Sequence, residues 1–97
     1  MKGELRKRLE SQLTHSVNTI LVNPNIRYIS HKRITLKFYK LGYSSLGVFD
    51  VTISRMASDL LDCLEEKGFV KIYFIRKKRK LYEVLKHEEI KEEDVCW

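Results

Sequence analysis

Five consecutive cations, Arg76, Lys77, Lys78, Arg79 and Lys80, stand between two apolar runs. Like charges held that closely repel one another, and a polyanion that gives up its own counterions relieves them, so the chemistry this run suits is phosphate binding. A second basic stretch, Ile26 to Lys40, holds Arg27, Lys32, Arg33, Lys37 and Lys40 without a single acid. Between the two regions lies a set of another kind, the hydroxyls of Thr52, Ser54 and Ser58 around the guanidinium of Arg55. A guanidinium can grip O6 and N7 of guanine together, and hydroxyls bond phosphates or base edges. Two basic regions bracketing such a set make an electrostatic footprint for a polyanion. The plain alternative is a solvated surface rich in lysine.

Other reactive residues do not form a site. Asp50 followed by Glu65-Glu66-Lys67 resembles the Asp and Glu-x-Lys set of the metal-dependent restriction-type nucleases, in which the acids bind magnesium and the lysine aids attack by water. In that family the Glu-x-Lys lies on a strand beside the aspartate. Here it ends an amphipathic helix that starts near Asp50, and about fifteen residues at 1.5 Å rise hold the acids about 20 Å apart, too far for one metal. His15, His31 and His87 fall in separate segments without metal-ligand spacing, and read as surface or half-buried residues. The four glycines are dispersed and build no phosphate loop. Cys63 and Cys96 lack the paired spacing of a zinc or redox motif; Cys63 reads as a small, partly buried hydrophobe. No enzymatic activity, metal or cofactor is expected.

The elements that must position these residues follow from periodicity. Ile53, Met56, Ala57, Leu60, Leu61 and Leu64 recur at the spacing of a helix with one buried stripe, which leaves Thr52, Arg55, Ser58, Asp59 and Asp62 on the opposite face. A start within Asp50 to Ser54 supplies several capping oxygens. Lys67 and Gly68 give the stop, after which Phe69 can fold back onto Leu64 or Leu61. Val70, Ile72 and Phe74 then alternate with Lys71, Tyr73 and Ile75, and Leu81, Tyr82, Val84 and Leu85 resume an apolar run beyond the cations. This predicts a two-stranded hairpin. Its tip contains no Gly or Asn, so a longer, mobile loop is expected there.

Thr-Ile-Ser-Arg opening the helix, Leu-Glu-Glu-Lys-Gly-Phe-Val closing it and a basic hairpin ending in Leu-Tyr-Glu-Val resemble the winged helix-turn-helix family of DNA-binding domains. The resemblance covers about the last two-thirds of the chain. It implies an α+β fold with a long N-terminal helix, a recognition helix over about 52–67 and a wing over about 69–86. It further implies a double-stranded DNA-binding protein, a transcriptional regulator whose helix enters the major groove while the wing and the Lys32, Arg33 and Lys37 region hold the backbone. Asp59 and Asp62 would repel phosphate, which confines groove entry to the first turn or two. The size and the lysine- and isoleucine-rich composition look like the winged-helix proteins of archaeal viruses and mobile elements. Winged-helix domains also serve as protein-interaction modules, and Tyr28, Tyr39, Tyr43 and Tyr73 could stack on single-stranded RNA; both stand as alternatives.

With 97 residues the chain has room for one domain, assigned to 1–86 and followed by an acidic tail over 87–97. The first segment, Gly3 to Val22, carries Leu5, Leu9, Leu13, Val17, Ile20 and Leu21 as a narrow helical stripe ended by Asn23-Pro24-Asn25. A stripe that long serves either the domain's own core or a homodimer interface. Over 26–51 the pattern is ambiguous: Ile34, Phe38 and Leu41 fit a helix, and Ile34, Leu36 and Phe38 fit a strand. The resemblance favours a helix from about Lys32 to Leu41, while Gly42 and Gly47 could instead bend a hairpin. The tail, with five acids against one lysine, reads as a frayed end, with a docking peptide for a protein partner as the alternative. No apolar run approaches a membrane span and no secretory leader is evident, so an intracellular, cytoplasmic location is expected.

Overall fold

In a computed structural model of the protein, which describes residues 3–44, 50–77, 79–91, 94 and 97, the leucine stripe of the first segment winds into α1, Gly3–Leu21. Leu9, Leu13, Val17, Ile20 and Leu21 are all buried in the chain's own core. Leu5, the first residue of that stripe, is partly buried and packs against the same core.

After α1 come β1 (Tyr28–Ile29), α2 (His31–Lys40), α3 (Asp50–Glu66), β2 (Val70–Arg76) and β3 (Arg79–Val84). The result is an α+β arrangement of three α-helices, among the described residues, and one antiparallel sheet ordered β1-β3-β2. Within 26–51 the helix-or-strand ambiguity at Ile34 to Phe38 resolves to helix for a visible reason: Ile34 and Phe38 are fully buried while Leu36 between them is 62% exposed. A strand would have sent all three to one face. Ser30 caps α2 from extended backbone, its Oγ accepting the Arg33 amide at 3.3 Å.

Helices α2 and α3 end alike. Gly42 and Gly68 take φ of +91° and +83°, the left-handed region that glycine enters without a Cβ penalty. The next residue then donates back across the turn, Tyr43 to the Phe38 carbonyl at 3.3 Å and Phe69 to that of Leu64 at 2.9 Å. The Tyr43 ring lies 5.4 Å from that of Phe38, and Phe69 is buried in the core with Leu64. This apolar contact across the reversal sets the direction in which the chain leaves each helix.

Two expectations are corrected and one strand is new. The hairpin tip is no long loop: β2 runs to Arg76, β3 starts at Arg79, and the two residues are direct cross-strand partners. Lys77, with φ +57°, supplies the left-handed turn conformation that Gly or Asn more often provides; Lys78 lies outside the described residues. The strand β1 was not anticipated, because it is two residues long and pairs only with distant β3, Tyr28 opposite Glu83 and Ile29 opposite Tyr82. Finally, three described residues of the tail, His87, Ile90 and Trp97, contact α1. The Ile90 amide donates to Asn18 Oδ1 at 2.8 Å, His87 Nδ1 lies 3.1 Å from the Leu21 carbonyl, and Trp97 Nε1 donates to Thr14 Oγ1 at 3.0 Å. Acid density alone suggested fraying, but buried Ile90 anchors the segment and polar side chains of α1 satisfy its donors. Among the described residues no helix is long and apolar enough to cross a membrane. The Gly47 end of the alternative hairpin bend falls in 45–49, outside the described residues.

Candidate functional site

The buried stripe of α3 presses Ile53, Met56, Ala57, Leu60, Leu61 and Leu64 into the core, so Ser54, Arg55 and Ser58 turn outward on the side facing the hairpin. There they line a hollow of about 800 Å³ together with Val51, His31 of α2 and Lys80 of β3. A second hollow of about 520 Å³ adjoins it and shares His31, Ser54 and Lys80. Its other walls are Ser30, Lys32 and Thr35 at the start of α2, and Phe74, Arg76, Arg79 and Leu81 of the hairpin. Together they make one trough between the first turns of α3, the first turn of α2 and the hairpin.

Among the described residues no carboxylate lines either hollow. Lys32, Arg55, Arg76 and Arg79 have no acidic partner within 4 Å among the described residues. Lys80 reaches only Asp62, at 3.5 Å on the helix's far turns. The first-turn amides of α2, which have no intrahelical acceptor, add their partial positive charge at the same end of the trough. By contrast, a hollow of about 630 Å³ near the tail mixes Lys67, Lys86 and Lys91 with Glu88, Glu89 and Asp94, so the opposed charges largely cancel there.

Side chains of α3 fix where the hairpin stands. Tyr82, almost fully buried, donates its hydroxyl to Asp62 Oδ1 at 2.6 Å, the same oxygen that Lys80 approaches. Burial first, and then that hydrogen bond, hold the Tyr82 hydroxyl protonated well above the ordinary phenol range. One turn on, Glu65 Oε2 accepts the Ile72 amide at 3.1 Å, beside a bulge that leaves Tyr73 as the extra residue of β2. At its other end α3 is tied to α2, because the Tyr39 hydroxyl donates to Asp50. That bond, with partial burial, pushes Tyr39 up to about 12.

Of the residues expected to bind a polyanion, the trough brings together Lys32, Ser54, Arg55, Ser58, Arg76, Arg79 and Lys80. Thr52 is half-buried and lines neither hollow, and Lys77 sits exposed at the hairpin turn. Arg33 and Lys37 are separated from the others: they line a hollow of about 210 Å³ on the α1 side of α2, with Thr19, Asn23 and Lys40. Sequence reasoning passed over His31 because it tested histidines for metal spacing, and over Val51 because it sought polar groups. A helical wheel with Arg55 at its centre would have found Val51 four residues before it. Asp50 and Glu65 sit at opposite ends of α3 and are engaged by Tyr39 and the Ile72 amide, so the nuclease-like acids do not converge. Among the described residues no three His, Cys, Asp or Glu groups come close enough to hold a metal. Cys63, 6% exposed, is buried more deeply than its sequence position suggested, and is not a free thiol.

Compared with protein-family models, with curated proteins and with solved structures, the chain finds no match.

Proposed function

We propose that this chain is a winged helix-turn-helix protein that binds double-stranded DNA, with α3 as the recognition helix and the β2–β3 hairpin as the wing, and that it acts as a transcriptional regulator. The observation that carries the reading is the trough without acids among its described lining residues, in which a guanidinium and two hydroxyls on α3 adjoin four further cations on α2, β2 and β3. The three-helix, three-strand layout is compatible with that family. An α-helix with its side chains, about 10 to 12 Å across, fits the major groove, about 12 Å wide. In this reading Arg55 meets a guanine edge, Ser54 and Ser58 bond base edges or phosphate, and Lys32, Arg76, Arg79 and Lys80 neutralise the backbone. Asp62 stays out of the groove because Tyr82 and Lys80 already hold it.

Mobility shifts with duplex DNA, single-stranded RNA and no nucleic acid test the reading, followed by Arg55→Ala on a duplex recovered by selection. Loss of the guanidinium should cost specific binding about 1 to 3 kcal/mol and leave random duplex far less affected. Equal loss on both duplexes would reduce Arg55 to a phosphate contact and refute the groove assignment. Retention of RNA alone would replace duplex DNA as the partner.

A further inference from the structure

Val51 is the most exposed large apolar side chain among the described residues, at 72%, and it stands in the first turn of α3. Neither helix propensity nor the core accounts for it: valine is a middling helix former, and this one points away from the packed stripe. Its position relative to Arg55 does. Residues four apart share a helix face with their Cβ atoms about 5 to 6 Å from each other, and both side chains line the same hollow with Ser54 and Ser58. Among the described residues that line this hollow the fully charged groups are Arg55 and Lys80, both cationic, so it suits an anionic duplex, and the one apolar feature that a B-form major groove offers is the C5-methyl of thymine.

Resting on the duplex-DNA reading above, we propose that Val51 and Arg55 act as one reading unit, with Val51 packed on the C5-methyl of a thymine one or two base pairs from the guanine that Arg55 engages. The spacing follows from geometry. Four residues advance about 6 Å along α3, against about 3.4 Å per base-pair step, so the two side chains meet neighbouring or next-but-one pairs. The preferred site therefore contains a thymine and a guanine at that separation, and the discrimination at the thymine depends on a single methyl group.

Replacement of thymine by deoxyuridine removes that methyl and nothing else. A duplex recovered by selection from a random library is remade with deoxyuridine at each thymine in turn, and the affinities of the wild-type chain and of Val51→Ser are measured by fluorescence anisotropy. The wild type should lose about fourfold at one thymine, the worth of one buried carbon, and that thymine should lie within two base pairs of the guanine at which Arg55→Ala loses its preference. Val51→Ser should bind the thymine and deoxyuridine duplexes equally. Because the probe alters the DNA, the wild-type result is independent of how any variant folds. Wild-type affinity unchanged by every deoxyuridine, with Arg55 still selective, overturns the pairing and leaves the DNA reading standing. A chain that retains no duplex at all overturns both.

Discussion

Arg76 and Arg79 face each other across the hairpin immediately before the turn, both exposed. Like charges directly opposite on an antiparallel pair are destabilising, whereas opposite charges contribute roughly 0.2 to 1 kcal/mol. Arg79→Glu converts one into the other. The free protein should gain about 0.5 to 1 kcal/mol at low salt, which for a domain of this size raises Tm by about 2 to 6 °C. Binding should move the opposite way. Four cations of the trough are assigned to the backbone, Lys32, Arg76, Arg79 and Lys80, and at about 0.9 per phosphate neutralised they set a slope of log affinity against log salt near about −3.6. The variant loses Arg79 and engages Arg76 with the new carboxylate, so its slope should fall to about −1.8. Between about 50 and 200 mM salt the wild type should then weaken about 150-fold and the variant about 12-fold.

Thermal unfolding at low salt reads the first effect and anisotropy titrations of a duplex across salt read the second. A wing whose cations are kept for phosphate at the expense of the free fold requires the two to diverge. Lower stability in Arg79→Glu would mean that the arginines do not oppose each other as described. An unchanged slope would mean that they never meet phosphate, and would put a protein-interaction role ahead of DNA binding.

Lys77→Gly should stabilise the chain by about 0.5 to 1 kcal/mol, since Lys77 holds φ +57° and the left-handed region penalises a side chain but not glycine, whose larger unfolded-state entropy takes back part of the gain; a fall in the urea midpoint would contradict the two-residue turn. Tyr39 titrates at about 12 in the folded chain against an ordinary value of 10.0, so its bond to Asp50 stabilises fully below pH 10 and is lost as pH rises from there towards 12. Exposure of 39% screens the effect to about 1 kcal/mol or less. Urea unfolding at about pH 9 and pH 11.5 should show a steeper alkaline loss for the wild type than for Tyr39→Phe, with Tyr82 contributing equally to both; parallel losses would refute the contact.

The parts of the fold that could be read in advance are those governed by local rules. The stripes of α1 and α3 and the Gly68 reversal depend on residues within a few positions of one another, and they stand where periodicity and capping put them. What depended on distant partners was not legible. Two residues of β1 become a strand only because β3 lies beside them, more than fifty positions later. Counting cations along 26–40 grouped Lys32 with Arg33 and Lys37, yet successive residues on a helix point about 100° apart. Once 31–40 is a helix, Lys32 goes with Thr35 into the trough, while Arg33 and Lys37, four apart, share the other side.

The acids of α3 carry the same lesson into the site itself. By type and position Asp59 and Asp62 looked like a cost on a helix meant for phosphate. Asp59 is exposed, whereas Asp62 has Tyr82 and Lys80 as partners on the hairpin, and Glu65, one turn on, accepts the Ile72 amide. A hairpin alone is at best marginally stable and free to swing, and cations at its end gain phosphate contacts only if they stand at a fixed distance from the reading helix. Asp62 and Glu65 fix that distance. In the proposed reading their repulsion falls on turns that a crossing helix leaves outside the DNA, and their hydrogen bonds hold Arg76, Arg79 and Lys80 against the turns proposed to enter it. A division of α3 into a reading half and a bracing half would let one helix carry both charges with little cancellation of its own field.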